Sequence, residues 1–423
     1  MSFPKYAAYK DSGVEWIGEI PVGWNMIQLK RIISVVYGDS LKNEDRAEDG
    51  SVPVYGSNGV VGFHNISNTP SPTIMIGRKG SCGALNWSQI PAFAIDTVFF
   101  VELSSSINMR WVYWLLHVLN LASLSQDIGV PGLSRETLYS QLVTFPPFPE
   151  QQAIASFLDR ECGKIDALIA EQERLIALLA EKRQAVISHA VTKGLNPNAS
   201  MKDSGIPWIG MVPEGWEMKR IKDCGCRIVD CKNRTPENHP AGKFFVVRTS
   251  CIKDGVFIPD SGYFTDETNF VEWTEKGVPQ FGDVLFTREA PAGEACLAPE
   301  NIEFCLGQRM MFIRPLPQIL SNKFLLYSIY GGLARERIIE RSKGSTVGHL
   351  RVGDVGALPL LLPPYETQLA IVDSLEGELS SVRILTDASQ KSIVLLKERR
   401  AALISAAVTG KIDVRAQSKA VAA

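Results

Sequence analysis

The sequence predicts an α+β chain in which two mixed α/β domains are separated by two long antiparallel coiled-coil helices, all within a pseudo-twofold internal repeat. Three observations support this prediction. Two blocks recur along the 423-residue chain, and one of them has the heptad-like apolar spacing of a long helix. The segments between the blocks differ in both length and sequence.

A short box containing tryptophan forms the first repeated block. Residues 10–30 and 202–222 are identical at 12 of 21 positions, whereas unrelated sequences would share about one. The shared positions include two tryptophans in each copy: Trp16 and Trp24, then Trp208 and Trp216. Their glycine and proline neighbours are typical of compact turns, so we expect these side chains to pack structurally. Stacking on exposed nucleic-acid bases is the alternative.

A long helix is predicted for the second repeated block. Residues 146–195 and 363–412 align without a gap and are identical at 19 of 50 positions, and both open with Pro-Pro followed by Gln-x-Ala-Ile. The paired prolines stop the preceding extended segment. The stretch that follows is long enough for about 40 helical residues, or about 60 Å at 1.5 Å per residue.

Apolar residues repeat along both predicted helices at the spacing of a heptad seam. The seam consists of Ile154, Leu158, Ile165, Leu168, Leu175, Leu179 and Val186 in the first helix, and of Ile371, Leu375, Val382, Leu385, Leu396 and Leu403 in the second. Because neither helix can bury such a stripe alone, we expect the two to pack together in antiparallel orientation. Gln172 and Ser389 interrupt the seam and are expected to fix its register.

Two inserts lie between the repeated blocks. The first block recurs after 192 residues and the second after 217, so the second insert is longer by 217 − 192 = 25 residues. Amphipathic helices are predicted at 111–124 and 322–339. Short apolar strands are predicted at 73–76, 98–101, 284–286 and 310–313. Residues 74–78 resemble residues 284–288, which indicates diverged copies of one fold.

The predicted organisation therefore has seven segments. They are an N-terminal box at 1–30, a first insert at 31–145, a central helix at 146–200, a second box at 201–222, a second insert at 223–362, a C-terminal helix at 363–412 and a tail at 413–423. The frame is nearly symmetric and the inserts are not, so any function that distinguishes the two halves is expected in the inserts.

Composition narrows the class of protein. The net charge of −2 disfavours nonspecific phosphate binding by bulk charge, although local basic faces remain possible. No apolar run reaches the roughly 18 residues that span a bilayer, and the N-terminus lacks the layout of a signal peptide, so a cytoplasmic protein is predicted.

The eight cysteines are expected to be free thiols. Cys224, Cys226 and Cys231, with His239 beyond, lack the spacing of a zinc site.

The order of these motifs resembles one known family. A box reading Lys-Asp-Ser-Gly-x-x-Trp-Ile-Gly, a variable domain, and Pro-Pro-x-x-Glu-Gln-x-Ala-Ile opening a long helix, all repeated once, resemble type I restriction–modification specificity subunits. The resemblance covers essentially the whole chain. Glu150-Gln151 fits the family pattern, whereas Thr367-Gln368 departs from it at the first position.

The resemblance implies recognition and scaffolding without catalysis. The inserts at 31–145 and 223–362 would be target recognition domains, each reading one half of a bipartite, asymmetric double-stranded DNA site. The helices would separate them and dock two DNA-adenine methyltransferase subunits, which restriction or translocase subunits join. S-adenosylmethionine, ATP and Mg²⁺ would then be bound by those partner subunits and not by this chain.

Candidate DNA-contact residues are polar or cationic side chains in glycine-flanked loops beside predicted strands. In the first insert they are Tyr55, Ser57, Asn58, Arg78, Lys79 and Ser81. In the second they are Lys232, Arg234, Arg248, Thr249, Ser250, Arg288, Gln308, Arg309, Lys343 and Thr346. Each segment is also compatible with a solvated turn or an internal ion pair, as for Arg288 beside Glu289.

Three alternative functions remain. Leu362-Pro363-Pro364-Tyr365 superficially resembles an amino-methyltransferase motif, but its first residue cannot accept a hydrogen bond from the target amine. A coiled-coil adaptor that binds only proteins would explain the helices but not two divergent inserts. A specificity subunit from a related multi-subunit methyltransferase system fits the same residues as the type I assignment.

Overall fold

The computed structural model describes residues 3–47, 49–103, 106–124, 132–207, 209–342 and 349–418. The chain divides into two compact units. Unit 1 is Met1–Glu173 with Gln390–Ala423, and unit 2 is Arg174–Ser389. Each unit therefore contains the N-terminal half of one long helix and the C-terminal half of the other, which confirms the predicted duplicated α+β architecture.

Unit 1 is built from short strands followed by helices. Its strands are β1 (Tyr9–Asp11), β2 (Glu19–Pro21), β3 (Asn25–Gln28), β4 (Ile33–Tyr37), β5 (Val52–Gly56), β6 (Gly59–His64), β7 (Thr73–Gly77), β8 (Leu85–Ser88), β9 (Phe93–Ala94), β10 (Val98–Leu103) and β11 (Leu142–Phe145). Its helices are α1 (Met109–Val118), α2 (Arg135–Tyr139) and the first half of α3 (Phe148–Lys193). The central antiparallel sheet has the order β4-β10-β7-β8, and a smaller sheet has the order β6-β5-β9.

Strand β7, in the interior of the central sheet of unit 1, is buried on both faces. Alternate side chains of a strand point to opposite faces, and Ile74 and Ile76 of β7 lie in one apolar cluster with Trp111 of α1. Met75 lies in a second cluster, with Ala94 of the smaller sheet. All five residues of β7 are buried. Burial on both faces explains why the strand is continuously apolar and not alternating.

Unit 2 repeats this plan with different side chains. Its strands are β12 (Met201–Asp203), β13 (Met211–Pro213), β14 (Glu217–Arg220), β15 (Arg227–Asp230), β16 (Phe244–Val247), β17 (Ile252–Lys253), β18 (Val256–Phe257), β19 (Tyr263–Thr265), β20 (Val284–Thr287), β21 (Ala295–Leu297), β22 (Phe304–Leu306), β23 (Met310–Arg314) and β24 (Pro359–Leu362). Its helices are α4 (Glu267–Trp273), α5 (Asn322–Tyr330), α6 (Gly332–Ser342), α7 (Val352–Gly356) and the first half of α8 (Tyr365–Val408). A final helix, α9 (Arg415–Ser418), belongs to unit 1.

The central sheets of the two units match strand for strand. The order β15-β23-β20-β21 in unit 2 corresponds to β4-β10-β7-β8 in unit 1. In both sheets the second strand pairs antiparallel with both of its neighbours. This match confirms that the inserts are diverged copies of one fold.

The halves of the long helices pack antiparallel within each unit. In unit 1, Thr144 immediately before α3 donates a hydrogen bond to the carbonyl oxygen of Val408, the last residue of α8. Further along, Arg400 of α8 forms an ion pair with Asp166 of α3. In unit 2 the end of α3 shares a core with the start of α8, through Ile187 and Ile371. The predicted antiparallel pairing is therefore confirmed within each unit.

A buried glutamine joins each long helix to the domain of its unit. The Gln151 Oε1 atom accepts a hydrogen bond from the backbone N–H of Asn108, the N-cap of α1, and its Nε2 donates to the Pro146 carbonyl oxygen. Gln368 makes the same two bonds, to the N-cap Ser321 of α5 and to Pro363. This double contact explains why glutamine occupies both repeats of the motif.

The preceding residue of the motif differs for a local reason. Glu150 accepts hydrogen bonds from the Tyr6 hydroxyl and the Trp24 indole N–H, both at 2.9 Å. At the same 192-residue offset, unit 2 has Asn198 in the position of Tyr6. Because unit 2 has no tyrosine at that point, the residue that corresponds there to Glu150 need not be a carboxylate, and it is Thr367.

Two predicted helices are wrong in extent. The helix predicted at 111–124 ends at Val118, because Asn120 adopts a positive φ of 42° and a 3-10 turn follows at Leu121–Leu124. The helix predicted at 322–339 is two helices. A Cβ atom built on Gly331 would lie 2.8 Å from Ile187 Cγ2, and Gly332 has a φ of 63°, so the glycine pair both allows close approach to α3 and breaks the helix.

The predicted heptad seam is only partly buried. Residues near the helix ends, such as Ile154, Leu158, Ile371 and Leu375, are buried as predicted, and so is the polar Ser389. Leu168, Leu175 and Leu385 are exposed instead. Packing within each unit therefore accounts for only part of the apolar spacing.

None of the eight cysteines, all of which lie in the described ranges, forms a disulfide, and all but Cys226 are buried. Burial raises the pKa of Cys162 to about 11 and that of Cys226, Cys296 and Cys305 to about 12, so these thiols stay protonated at neutral pH. The described residues contain no group of three His, Cys, Asp or Glu side chains placed to hold a metal ion. No helix in the described ranges is long and apolar enough to cross a membrane.

We predict that Gln151→Glu lowers the free energy of unfolding by about 2 kcal/mol, because a carboxylate cannot donate to the Pro146 carbonyl and its charge is buried. The matched control is Gln152→Glu, since Gln152 is exposed on the same turn. Thermal unfolding followed by circular dichroism compares the two. Equal melting temperatures for the two variants would contradict the role given to Gln151.

Candidate nucleic-acid interface

Two loops that are distant in sequence meet at the end of β7 in unit 1. A Cβ atom built on Gly77 would lie 2.2 Å from the carbonyl oxygen of Ser81 and 2.7 Å from that of Ser57, so only glycine allows this approach. The structure thus brings together the predicted residues Ser57, Arg78, Lys79 and Ser81. Asn58 is exposed beside them, whereas Tyr55 is half-buried and packs against the smaller apolar cluster.

Arg78 lies against an aromatic ring that the sequence did not single out. The centre of its guanidinium is 4.8 Å from the Tyr37 ring centroid, and that of Arg135 is 4.6 Å from the same centroid. Arg78 Nη1 also donates to the carbonyl oxygen of Asp96 at 3.2 Å. Tyr37 therefore contacts two cations, and each contact is favourable because the ring face is electron-rich.

The corresponding position in unit 2 is occupied by Arg288. Leu133 N donates to the Arg78 carbonyl at 2.9 Å, and Leu350 N donates to the Arg288 carbonyl at 3.0 Å. The next residues, Lys79 and Glu289, each form an isolated bridge with the residue that precedes the leucine. The backbone places Arg78 and Arg288 at the same point of the same fold.

Strand register identifies the residue that faces each arginine. Phe99 of β10 lies opposite both Tyr37 and Ile76, and Met311 of β23 lies opposite both Asp230 and Phe286. Tyr37 and Asp230 therefore occupy the same position. The partner of the arginine is an aromatic ring in unit 1 and a carboxylate in unit 2, where Arg288 Nε lies 3.1 Å from Asp230 Oδ1.

The other cations of unit 2 are mostly paired. Arg309 Nε lies 3.0 Å from Glu289 Oε2, and His349 contacts the same carboxylate. Gln308 precedes Arg309, and the Arg309 carbonyl accepts a hydrogen bond from Arg288 N, so Arg309 and Arg288 are adjacent. Both arginines therefore form internal ion pairs, but Arg288 pairs with Asp230 and not with the adjacent Glu289, which was the local partner that the sequence suggested.

Two further predicted groups of unit 2 lie elsewhere on its surface. Lys232 and Arg234 both contact Glu272 of α4 and lie over the Trp273 ring. Arg248 is the N-cap of the 3-10 turn Thr249–Cys251 that follows β16. Arg248 and Ser250 are exposed and Thr249 is half-buried, and Ser250 Oγ donates to the Ser261 carbonyl oxygen at 3.4 Å. Lys343 and Thr346 lie outside the described residues.

Sequence reasoning missed Tyr37 and Arg135. Neither lies in a glycine-flanked polar loop, and they are separated by about a hundred residues of chain. The single-sequence pattern contains no signal for a contact that depends on the register of β4 with β10 and on the placement of α2.

The tryptophan boxes are not uniformly structural. Trp24 is completely buried, with its indole N–H bound to Glu150, and Trp216 is buried in unit 2. Trp16 is 52% exposed, so the expected structural packing covers only about half of its side chain. It lies in the turn between β1 and β2, where Ile17 alone takes the buried position. Trp208 lies outside the described residues.

Comparison with known proteins identifies the family. Residues 21–176 and 213–390 match the model of the type I restriction modification DNA specificity domain, once in each half of the repeat. The chain belongs to this family. Its members supply the DNA-recognition role of type I systems, so the function of this chain is recognition and not catalysis.

Two related sequences agree with this assignment, and one solved structure shares the fold. The chain is 22% identical over 450 residues to a putative type I restriction enzyme MjaX specificity subunit from Methanocaldococcus jannaschii, covering 94% of this chain and 96% of that one. It is 23% identical to the EcoBI specificity subunit from Escherichia coli, covering 72% and 66%. The chain is also similar to a solved structure described as the structural basis of complex assembly and conformational transition of the type I R-M system. The TM-score is 0.60 at 17% identity, and the match covers 92% of this chain and 98% of that one.

We predict that Asp230→Asn lowers the free energy of unfolding by about 2 kcal/mol, because it leaves the largely buried Arg288 guanidinium without a counter-charge. Asp260→Asn is the matched control, since Asp260 is exposed in the same unit. Denaturant unfolding measures both variants. A midpoint for Asp230→Asn equal to that of the control would show that the ion pair does not stabilise the fold.

Proposed function

We propose that this chain is the specificity subunit of a type I restriction–modification complex and that each unit reads one half of a bipartite, asymmetric DNA target. One observation carries the proposal. The two units place equivalent strand ends and loops at the same point of one fold, but fill them with different side chains: Tyr37 against Asp230, and Lys79 against Glu289. Two domains with the same strand arrangement but different polar side chains at these positions would recognise different base sequences.

We also propose that the long helices dock the partner subunits. Apolar side chains that are exposed along α3 and α8 support this idea, because rows of such residues mark protein–protein contacts. They are Leu168, Leu175, Leu178, Ile384, Leu385, Val394 and Leu395. The expected partners are two methyltransferase subunits joined by restriction or translocase subunits, acting on DNA in the cytoplasm. S-adenosylmethionine, ATP and Mg²⁺ would be bound by those partners.

We infer from the net charge of the chain that tight DNA binding is a property of the assembled complex. A net charge of −2 gives little long-range attraction for a polyanion. In unit 2 most of the described cations at the candidate interface are also neutralised by acidic neighbours. Partner subunits would therefore supply much of the phosphate contact, and this chain would supply the sequence preference.

We predict that co-expression of this chain with the modification subunits of its own system methylates adenines in one motif with two different short blocks and a fixed spacer. The two unlike units on one chain are the reason. Sequencing that detects modified bases in the host DNA provides the readout. A palindromic motif, or a motif with a single block, would contradict the proposal.

We predict that Ile384→Glu and Leu395→Glu each reduce co-purification of the modification subunit at least tenfold without changing the melting temperature of the chain. The two side chains are 65% and 63% exposed on α8, so a charge there disturbs a partner and not the fold. Val271→Glu is the control, because Val271 is 61% exposed on α4. Retention of the partner by all three variants would remove α8 from the docking surface.

A further inference from the structure

We propose that the two equivalent arginines have different roles: Arg78 reads a guanine in the half-site of unit 1, and Arg288 stabilises unit 2 without reading a base. Tyr37 is assigned as the positioning residue for Arg78. This inference rests on the proposed function, since it assigns a base contact within the DNA target. It goes beyond that function because the shared fold alone would give both arginines the same role.

The guanidinium of Arg78 uses only part of its hydrogen-bonding capacity within the chain. An arginine has five N–H donors in a rigid fork. Arg78 uses Nη1 for the carbonyl oxygen of Asp96, and its other described contacts are the ring faces of Tyr37 and Phe99. In the described part of the chain, no carboxylate lies within ion-pair distance of Arg78. The remaining edge of the fork is therefore available for an external acceptor.

Arg288 differs in both burial and partners. Only 12% of its side chain is exposed, and the Asp230 carboxylate lies beside its Nε atom. Moving this guanidinium to a base edge would leave Asp230 behind in a partly buried site without a counter-charge, which is costly. The same position in unit 1 holds a neutral ring, which orients a cation without competing for its N–H donors.

The charged neighbours of Arg78 and Arg288 also differ. Arg78, Lys79 and Arg135 give unit 1 three cations at the end of β7. In unit 2 the residue equivalent to Lys79 is Glu289, which contacts both Arg309 and His349. A polyanion is attracted to the first arrangement and gains little from the second.

The chemistry of the free edge selects guanine as its acceptor. Guanine presents the O6 and N7 acceptors side by side in the major groove, and a forked arginine donates to both at once. Tyr37 is 44% exposed, and both Arg78 and Arg135 lie over its ring. These contacts restrict the ring, and the ring in turn restricts the plane of the Arg78 fork, so less conformational freedom is lost on binding.

The test measures base preference by the full-length chain assembled with its modification subunits. The probe is a library of duplexes in which each member carries either the wild-type target or one single-base change of it. We expect Arg78→Gln and Arg78→Lys to reduce discrimination at one guanine of one half-site by about tenfold or more, because neither side chain presents the fork. Arg288→Gln is expected to keep the preference at every position while lowering the melting temperature.

Arg31→Gln is the control, since Arg31 is an exposed arginine of the same unit outside this cluster. Tyr37→Leu should reduce discrimination at the same guanine, and Tyr37→Phe, which keeps the ring face, should restore it. Restoration by phenylalanine separates positioning of Arg78 from a hydrogen bond made by the tyrosine hydroxyl.

Two outcomes would overturn the inference. If Arg78→Gln weakens binding to all duplexes equally and lowers the slope of log affinity against log salt by about one, Arg78 binds a phosphate. If Arg288→Gln loses preference at one base, the two arginines share a role. Failure of the proposed function is distinguishable from both, because the wild-type complex would then show no sequence preference at all.

Discussion

The hydrogen bonds of two buried glutamine side chains connect the frame of this protein to its recognition units. Gln151 and Gln368 each lie in the first turn of a long helix and bind the N-cap of a domain helix. A glutamine amide can accept and donate at the same time, so it satisfies the free N–H of one helix and the carbonyl that precedes another. This contact fixes where each domain helix begins relative to the long helix. The sheet that packs on the domain helix is placed by the same contact.

A shared frame of this kind allows side chains at the strand ends to diverge. The sheet orders, the register of the central strands and the hydrogen bonds that follow Arg78 and Arg288 are the same in both units. Side chains at these strand ends differ in charge and shape because they do not contribute to the core, which is built from the buried strand interiors. Most of the stability thus comes from the strand interiors, which leaves the strand ends free to take different roles, as Arg78 and Arg288 do.

Most of the fold could be predicted from the sequence because its signals are periodic and repeated. The duplicated blocks predict the two halves, and the proline-free heptads predict α3 and α8 and their antiparallel pairing. The breaks at Asn120 and Gly331 could not be predicted, because one depends on a left-handed backbone and the other on the approach of α3 to α5. Exposure of Leu168 and Leu385 was also missed, since the same apolar spacing serves contact within a chain and contact with a partner.

The candidate interface was less predictable than the fold for an electrostatic reason. A loop rich in arginine and glycine has the same sequence signature whether its cations are free or paired, and the partner of each cation is set by tertiary structure. Arg78 and Arg288 occupy matching motifs, but Tyr37 and Asp230 reach them only through the register of neighbouring strands. Replacing a ring by a carboxylate changes the arginine from an available donor to a neutralised one. The balance between reading DNA and holding the fold can therefore shift between duplicated domains through single residues that face the arginine.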